Sequence, residues 1–226
     1  MLPLTVYAYD YLADLEVDSL TNSDRSEFNR RWGERLLAAY AGVLLALLLL
    51  CMDPLIMALT ASMFITGILY SRFFKELTAY LTGFKNIYLG VVWSSWTTLP
   101  AMGGRSLPAH ALVFIFIFLK VYVNTAFSDY KDVKSDSKRG LKTLPVAYGE
   151  NDSLMILQLI NAVGAAALSL GVLTGLIPCI GIVAVILSSY TALYLHLKPV
   201  MDINTATLIA DLEGPLHLLL ALGVGG

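Results

Sequence analysis

Long uninterrupted apolar blocks dominate this chain and decide what it can fold into. LLAAYAGVLLALLLL fills residues 36–50 and ALVFIFIFL fills residues 111–119. Blocks of this kind lack the short inside-outside alternation of a barrel or sandwich strand and read as membrane-spanning helices. Charge agrees: 14% of the 226 residues are Asp, Glu, Lys or Arg, where a soluble domain carries about a quarter. The mean hydropathy is +0.70. A net charge of −2 provides no field for steering nucleic acid. The expected class is an all-α polytopic membrane protein.

Seven full spans are expected, at 36–52, 54–71, 84–102, 108–127, 153–173, 175–196 and 205–224. Each is close to the ~20 residues that cross ~30 Å of hydrocarbon. Basic residues alternate sharply between the connecting loops. Arg25, Arg30, Arg31, Arg35, Arg72, Lys75, Lys85, Lys131, Lys134, Lys138, Arg139, Lys142 and Lys198 fall on one side. Arg105 lies on the other, and Lys120 falls within a span. The positive-inside rule makes the rich side cytoplasmic, in a protein of the cell membrane. The first nine residues are apolar but rise only ~14 Å, so the chain starts with what reads as a partial helix. Cys51 and Cys179 are too few for a disulfide framework or a metal cluster and read as buried free thiols.

Two acidic clusters emerge on the cytoplasmic side. In YDYLADLEVD, Asp10, Asp14 and Asp18 recur every four residues and share one helical face; Glu16 points away from it. Like charges at that spacing repel, so the ladder asks for a cation. Hard carboxylate oxygens suit Mg2+, which keeps its waters and bridges carboxylates to substrate phosphates. The second cluster is Asp129, Asp132 and Asp136 in SDYKDVKSDSKRGLKTLPVAYG. Its spacings of three and four share a face if the preceding helix runs on. Arg25, Arg72, Lys75, Lys85 and Lys142 surround the two clusters. Carboxylates, a divalent ion and Arg/Lys together hold a diphosphate and stabilise its departure.

On these residues the sequence resembles the UbiA superfamily of intramembrane prenyltransferases. The family's second motif, D-x-x-D-x-x-x-D followed by Gly, a basic residue and Thr-Leu-Pro-Val, is matched by Asp129, Asp132, Asp136, Gly140, Lys142, Thr143, Leu144, Pro145 and Val146. Asn124, upstream, matches a common family asparagine. Asp10, Asp14, Asp18 and Arg25 fall in register with the first motif, although Tyr9 and Thr21 stand where the family has Asn, and Ser23 and Ser26 where it has Pro. Tyr70-Ser71 with the following bases, then Lys85-Asn86, is similar to the family's central loop.

The resemblance implies a UbiA-like helix bundle, with residues 1–226 as one prenyltransferase transmembrane domain. The family usually has nine helices, of which the first and part of the second are then missing here. It also implies Mg2+-dependent transfer of a prenyl group from a polyprenyl diphosphate to a lipophilic acceptor. Asp10, Asp14, Asp132 and Asp136 would be catalytic. All six motif aspartates would hold metal, and Arg25, Arg72, Lys75, Lys85, Asn86, Asn124 and Lys142 would hold the diphosphate. Tyr88, Trp93, Trp96 and Tyr122 are candidates to face an allylic cation. Two readings compete: a transporter or channel with an aspartate cation site, and a non-catalytic homologue. A transporter places its ionisable groups nearer the midplane. Asp211, Glu213 and His217, within the last expected span, read as structural or cavity-facing groups.

Overall fold

The computed structural model describes residues 1–16, 19, 23–100 and 106–216, and every described regular element is helical. Asp18, the Gly103-Gly104 pair, Arg105 and His217 lie outside the described residues. The chain divides into two compact units, Met1–Glu76 and Leu77–Gly226.

The first unit is built from α1 (Leu2–Ala13), α2 (Ser23–Cys51) and α3 (Pro54–Leu69). Proline sits in the first turn of α1 and of α3, where a missing N–H costs nothing. Asp53 caps α3 by accepting from the Leu55 and Ile56 amides at 2.8 and 3.1 Å. α1 packs tightly against both of its neighbours. A Cβ on Gly67 of α3 would stand 2.6 Å from Val6 Cγ1, so only glycine admits the contact. α3 does not stop at Leu69. It widens into a π-helical turn, Tyr70–Phe74, and tightens into a 3₁₀ turn, Lys75–Ala79. Such π turns re-aim side chains and recur at functional sites; this one carries Ser71 and Arg72 and ends beside Lys75.

The second unit contains α4 (Phe84–Thr98), α5 (Leu107–Ser128), the short α6 (Val133–Lys138), α7 (Leu144–Leu173), α8 (Gly181–Leu197) and α9 (Ile203–Asp211). Its core joins Val123, Phe127 and Tyr130 to Leu157, Tyr194, Leu195, Ala206 and Ala210. A second cluster of Ala109, Phe116, Leu168 and Ile177 closes the other end of α5. α7 is interrupted at Gly149 (φ 76°, ψ 178°).

Among the described residues, five helical stretches are long and apolar enough to cross a membrane: Ser23–Cys51, Pro54–Ala79, Leu107–Lys131, Leu144–Leu173 and Gly181–Val200. The expected all-α membrane class holds, while the count of seven spans is not confirmed. The third and seventh expected spans, 84–102 and 205–224, run into residues outside the described ones; within the described residues α4 has 15 residues and α9 nine. Cys51 and Cys179 are free, as expected, but exposed rather than buried. Cys51 is the last residue of α2, and Cys179 lies in the turn before α8.

Candidate diphosphate-binding motifs

In the first unit, the aspartate ladder meets an ammonium supplied by its own chain. Asp10 lies on α1 and Asp14 is its C-cap. Lys75, delivered by the re-aimed end of α3, pairs with both, reaching Asp10 Oδ1 at 3.3 Å and binding Asp14 Oδ2. Ser71 Oγ donates to Asp10 Oδ1 at 2.7 Å. The cation that the spacing asks for is thus present as a lysine. Arg72 Nε donates to the Tyr9 hydroxyl at 2.7 Å, and the Arg25 guanidinium lies 5.2 Å from the centre of the Tyr11 ring. Tyr9, which departs from the family asparagine, therefore has a job: its phenol accepts from one of the motif's bases. Ser71 as an aspartate partner was not foreseen; its position on a π turn, invisible in sequence, brings it there.

In the second unit, the chain does not run on as one straight helix. α5 ends at Ser128, Asp129–Lys131 form a 3₁₀ turn, and Asp132 breaks helical geometry (φ −103°, ψ 7°) before α6. The three aspartates stay neighbours by another route: in a 3₁₀ turn, residues three apart eclipse, which stacks Asp132 on Asp129. Asp129 is fully buried. It accepts from Lys85 Nζ at 2.7 Å and from Asn86 Nδ2 at 3.0 Å, both on the first turn of α4. Asp136 is 7% exposed. Burial pushes its carboxyl up to about 6; Lys85 and Arg139 oppose this, and the negative charges of Asp129 and Asp132 add to it.

Backbone pairing pins the loop after the second motif. The Lys142 N–H donates to Thr78 O, and its carbonyl accepts from Gly83 N, both at 2.9 Å. The Lys142 side chain is exposed. Gly83 has φ 69°, and a Cβ there would lie 2.8 Å from the Tyr122 hydroxyl, so left-handed geometry and the close ring both require glycine. Tyr122 thereby stands over the start of α4, next to Lys85 and Asn86. Of the other aromatic candidates, Trp93 and Trp96 pack edge to face with centres 5.9 Å apart, and Tyr88 lies beside Phe84. Asn124 is directed elsewhere: its Nδ2 donates to Ala210 O at 3.3 Å.

Whether these residues suit magnesium is decided by charge and donor type. Among the described residues, no three acidic, His or Cys side chains converge as a ready-made cage. Magnesium does not need one, since one or two carboxylates plus phosphate and water oxygens complete its shell. Burial raises Asp136, with a smaller push from Asp129 and Asp132, and a cation beside it would favour its ionised form. Asn86 Oδ1, buried and without a hydrogen-bond partner, is a further hard oxygen beside Asp129. The residues fit a metal ion that arrives with a phosphate ligand.

Comparison with known proteins narrows the fold. The structure aligns with that of a UbiA homologue from Aeropyrum pernix K1 over 96% of this chain and 85% of that one, with a TM-score of 0.69 at 18% identity. It also aligns with a structure described as giving insight into the biosynthesis of digeranylgeranylglyceryl phosphate synthase in membranes. There the TM-score is 0.58 at 16% identity, covering 96% and 78% of the two chains. Among curated sequences, the digeranylgeranylglyceryl phosphate synthase of Methanopyrus kandleri is 43% identical over 56 residues, 25% of this chain and 20% of that protein. The synthase of the same name from Natronomonas pharaonis is 28% identical over 157 residues, 65% of this chain and 53% of that protein. The matches thus span about a fifth and about half of those relatives' lengths. A family model covers residues 5–208, nearly the whole described chain and both aspartate motifs: the protein belongs to the UbiA prenyltransferase family.

Proposed function

We propose that the protein is an intramembrane prenyltransferase that joins a geranylgeranyl group to geranylgeranylglyceryl phosphate. The observation that carries this reading is the second motif as folded: Asp129 paired with Lys85 of α4, and Asp136, buried beside them, with its carboxyl held up mainly by burial. The acceptor is suggested by the shared name of the two curated relatives. The allylic C–O bond to the diphosphate breaks, the acceptor hydroxyl oxygen forms the new ether, and its proton is lost. Diphosphate leaves.

Bound magnesium would neutralise the diphosphate and stabilise the charge it gains on leaving. Asp132 and Asp136 are the residues suited to hold it in the second unit, and Asp10, Asp14 and Asp18 in the first. Lys85 and Lys142, and in the first unit Arg25, Arg72 and Lys75, supply positive charge to phosphate oxygens. Asn86 orients Asp129, and Asn124 remains a candidate contact for the donor. The Tyr122 ring offers its face to developing positive charge on the allylic carbon. On this reading the motifs lie on the cytoplasmic side of the cell membrane. Cysteines at Ser137 and Ser106, both exposed at opposite ends of the α5 region, test the orientation: S137C should label from the cytoplasm and S106C from outside.

The direct test incubates purified protein in lipid nanodiscs with geranylgeranyl diphosphate, magnesium and one of several acceptors. Mass spectrometry should detect digeranylgeranylglyceryl phosphate only when geranylgeranylglyceryl phosphate is supplied. Product with an aromatic acceptor instead would move the assignment within the family, and no product with any acceptor would refute it.

A further inference from the structure

Outside the two motifs, the second unit buries a pair of opposite charges among its helices. Lys120 of α5 pairs with Glu213, just beyond α9; they are 8% and 5% exposed. Each has further partners. Thr191 Oγ1 donates to Glu213 Oε1 at 2.5 Å, and the Tyr194 hydroxyl to Oε2 at 3.1 Å. The Lys120 ammonium also binds Thr191 Oγ1 and reaches Asn161 Oδ1 at 3.5 Å. Asn161 in turn donates to Ser188 O at 2.9 Å. Four helical segments therefore meet at one ion pair. Leucines would fill the same space without the desolvation cost of two charges.

The place of this network on α5 says what it can do. Asp129 follows Lys120 by nine residues, half a turn around the axis at 100° per residue. Asp129 thus sits on the α4 side, while Lys120 and Asn124, one turn apart, face α8 and α9. On that side Asn124 is held by Ala210 O. Tyr194 braces Glu213, the carboxylate that pairs with Lys120. A roll of α5 by 10° would shift a carboxylate ~6 Å from the axis by about 1 Å, against a tolerance of about 0.5 Å for a working constellation.

We infer that Glu213 and Tyr194 are positioning residues: Glu213, braced by Tyr194, grips Lys120 from the far side, fixing the roll of α5 and so the presentation of Asp129 and Asp132. The grip follows from the contacts alone; its consequence for donor binding rests on the prenyl-transfer reading. Y194F removes one hydroxyl and keeps the ring, whose centre lies 5.0 Å from that of Phe127. E213Q keeps hydrogen-bonding capacity and removes the charge.

The experiment is hydrogen exchange on purified protein in detergent, paired with transfer kinetics using geranylgeranyl diphosphate. Either variant should speed exchange over residues 124–132 at least tenfold while residues 154–168 change less than twofold. The donor KM should rise about tenfold with kcat within threefold. The E213Q–Y194F double variant should be no worse than the worse single, because both break one chain of contacts. Exchange that rises uniformly across the unit, or a double variant whose effects multiply, would overturn the inference. So would local exchange that rises with an unchanged KM. If exchange responds as expected but the parent protein neither binds nor transfers the donor, the grip stands and only the prenyl-transfer reading falls.

Discussion

The two aspartate motifs meet their counter-charges in opposite ways. In the first, Asp10 and Asp14 share one ammonium, and all three side chains keep about a fifth of their surface in contact with solvent. Water partly screens these three charges. In the second, Asp129 is sealed from solvent and paired with Lys85 and Asn86, while burial above all makes the charge of Asp136 costly. The contrast separates two jobs. The first motif is an adjustable anionic patch whose lysine can be shared with or displaced by another cation. The second has a fixed anchor, Asp129, that holds α4 to α5, and working carboxylates, Asp132 and Asp136, beyond it.

The largest expected effect comes from the working carboxylates. D132N and D136N should each lower transfer about 10²–10³-fold, the scale for losing one transition-state contact, with melting temperature nearly unchanged. Near-normal turnover in either variant at saturating magnesium would remove these residues from the mechanism.

Next comes the anchor. D129A removes the buried acceptor shared by Lys85 and Asn86, and should cost roughly 1–3 kcal/mol of stability, because the Lys85 side chain stays partly solvated. D14A should cost about 1 kcal/mol or less, as for a partly solvated pair. Denaturation in mixed micelles would measure both, and equal losses would erase the distinction between the motifs.

A smaller effect is expected from K75M. Removing the shared ammonium should let the first motif attract magnesium more strongly. The half-saturating magnesium concentration should fall roughly three- to tenfold, corresponding to ~1 kcal/mol for one nearby charge in a solvated setting. An unchanged requirement would mean that Asp10 and Asp14 do not meet the metal.

The smallest effect is on pH dependence. Asp136 holds its proton up to about 6, above the ordinary carboxylate value. Between about pH 4 and 6 the folded chain therefore binds more protons than the unfolded chain, and stability should fall as pH rises through that window. D136N should flatten this slope. Magnesium, which needs the ionised carboxylate, should shift the corresponding rise in donor binding to lower pH. A slope that persists in D136N would assign it to another group.

Much of this was legible in the sequence, and what was not has identifiable physical causes. Long apolar blocks give the class directly, because nothing else buries them. The aspartate spacings and nearby bases identify the two clusters, since like charges at helical spacing require compensation. Local backbone changes were hidden. The π turn that brings Ser71 and Lys75 to Asp10, and the 3₁₀ turn that stacks Asp132 on Asp129, replace the uniform helices that periodicity assumes. Partner choice was hidden too. Lys120 and Glu213 read as separate oddities 93 positions apart, and only the packing of α5 against α8 and α9 makes them a pair.

Magnesium-dependent binding of radiolabelled geranylgeranyl diphosphate, without acceptor, tests the division of labour most directly. It should be measured for the parent protein, a D10N–D14N variant and a D132N–D136N variant, each checked for folding by its melting curve. The account predicts tight binding by the parent that chelator abolishes. Binding should weaken while keeping its magnesium dependence in D10N–D14N, where Lys75 is freed to meet phosphate. It should lose its magnesium dependence in D132N–D136N. Magnesium-dependent binding that survives unchanged in D132N–D136N would contradict the account.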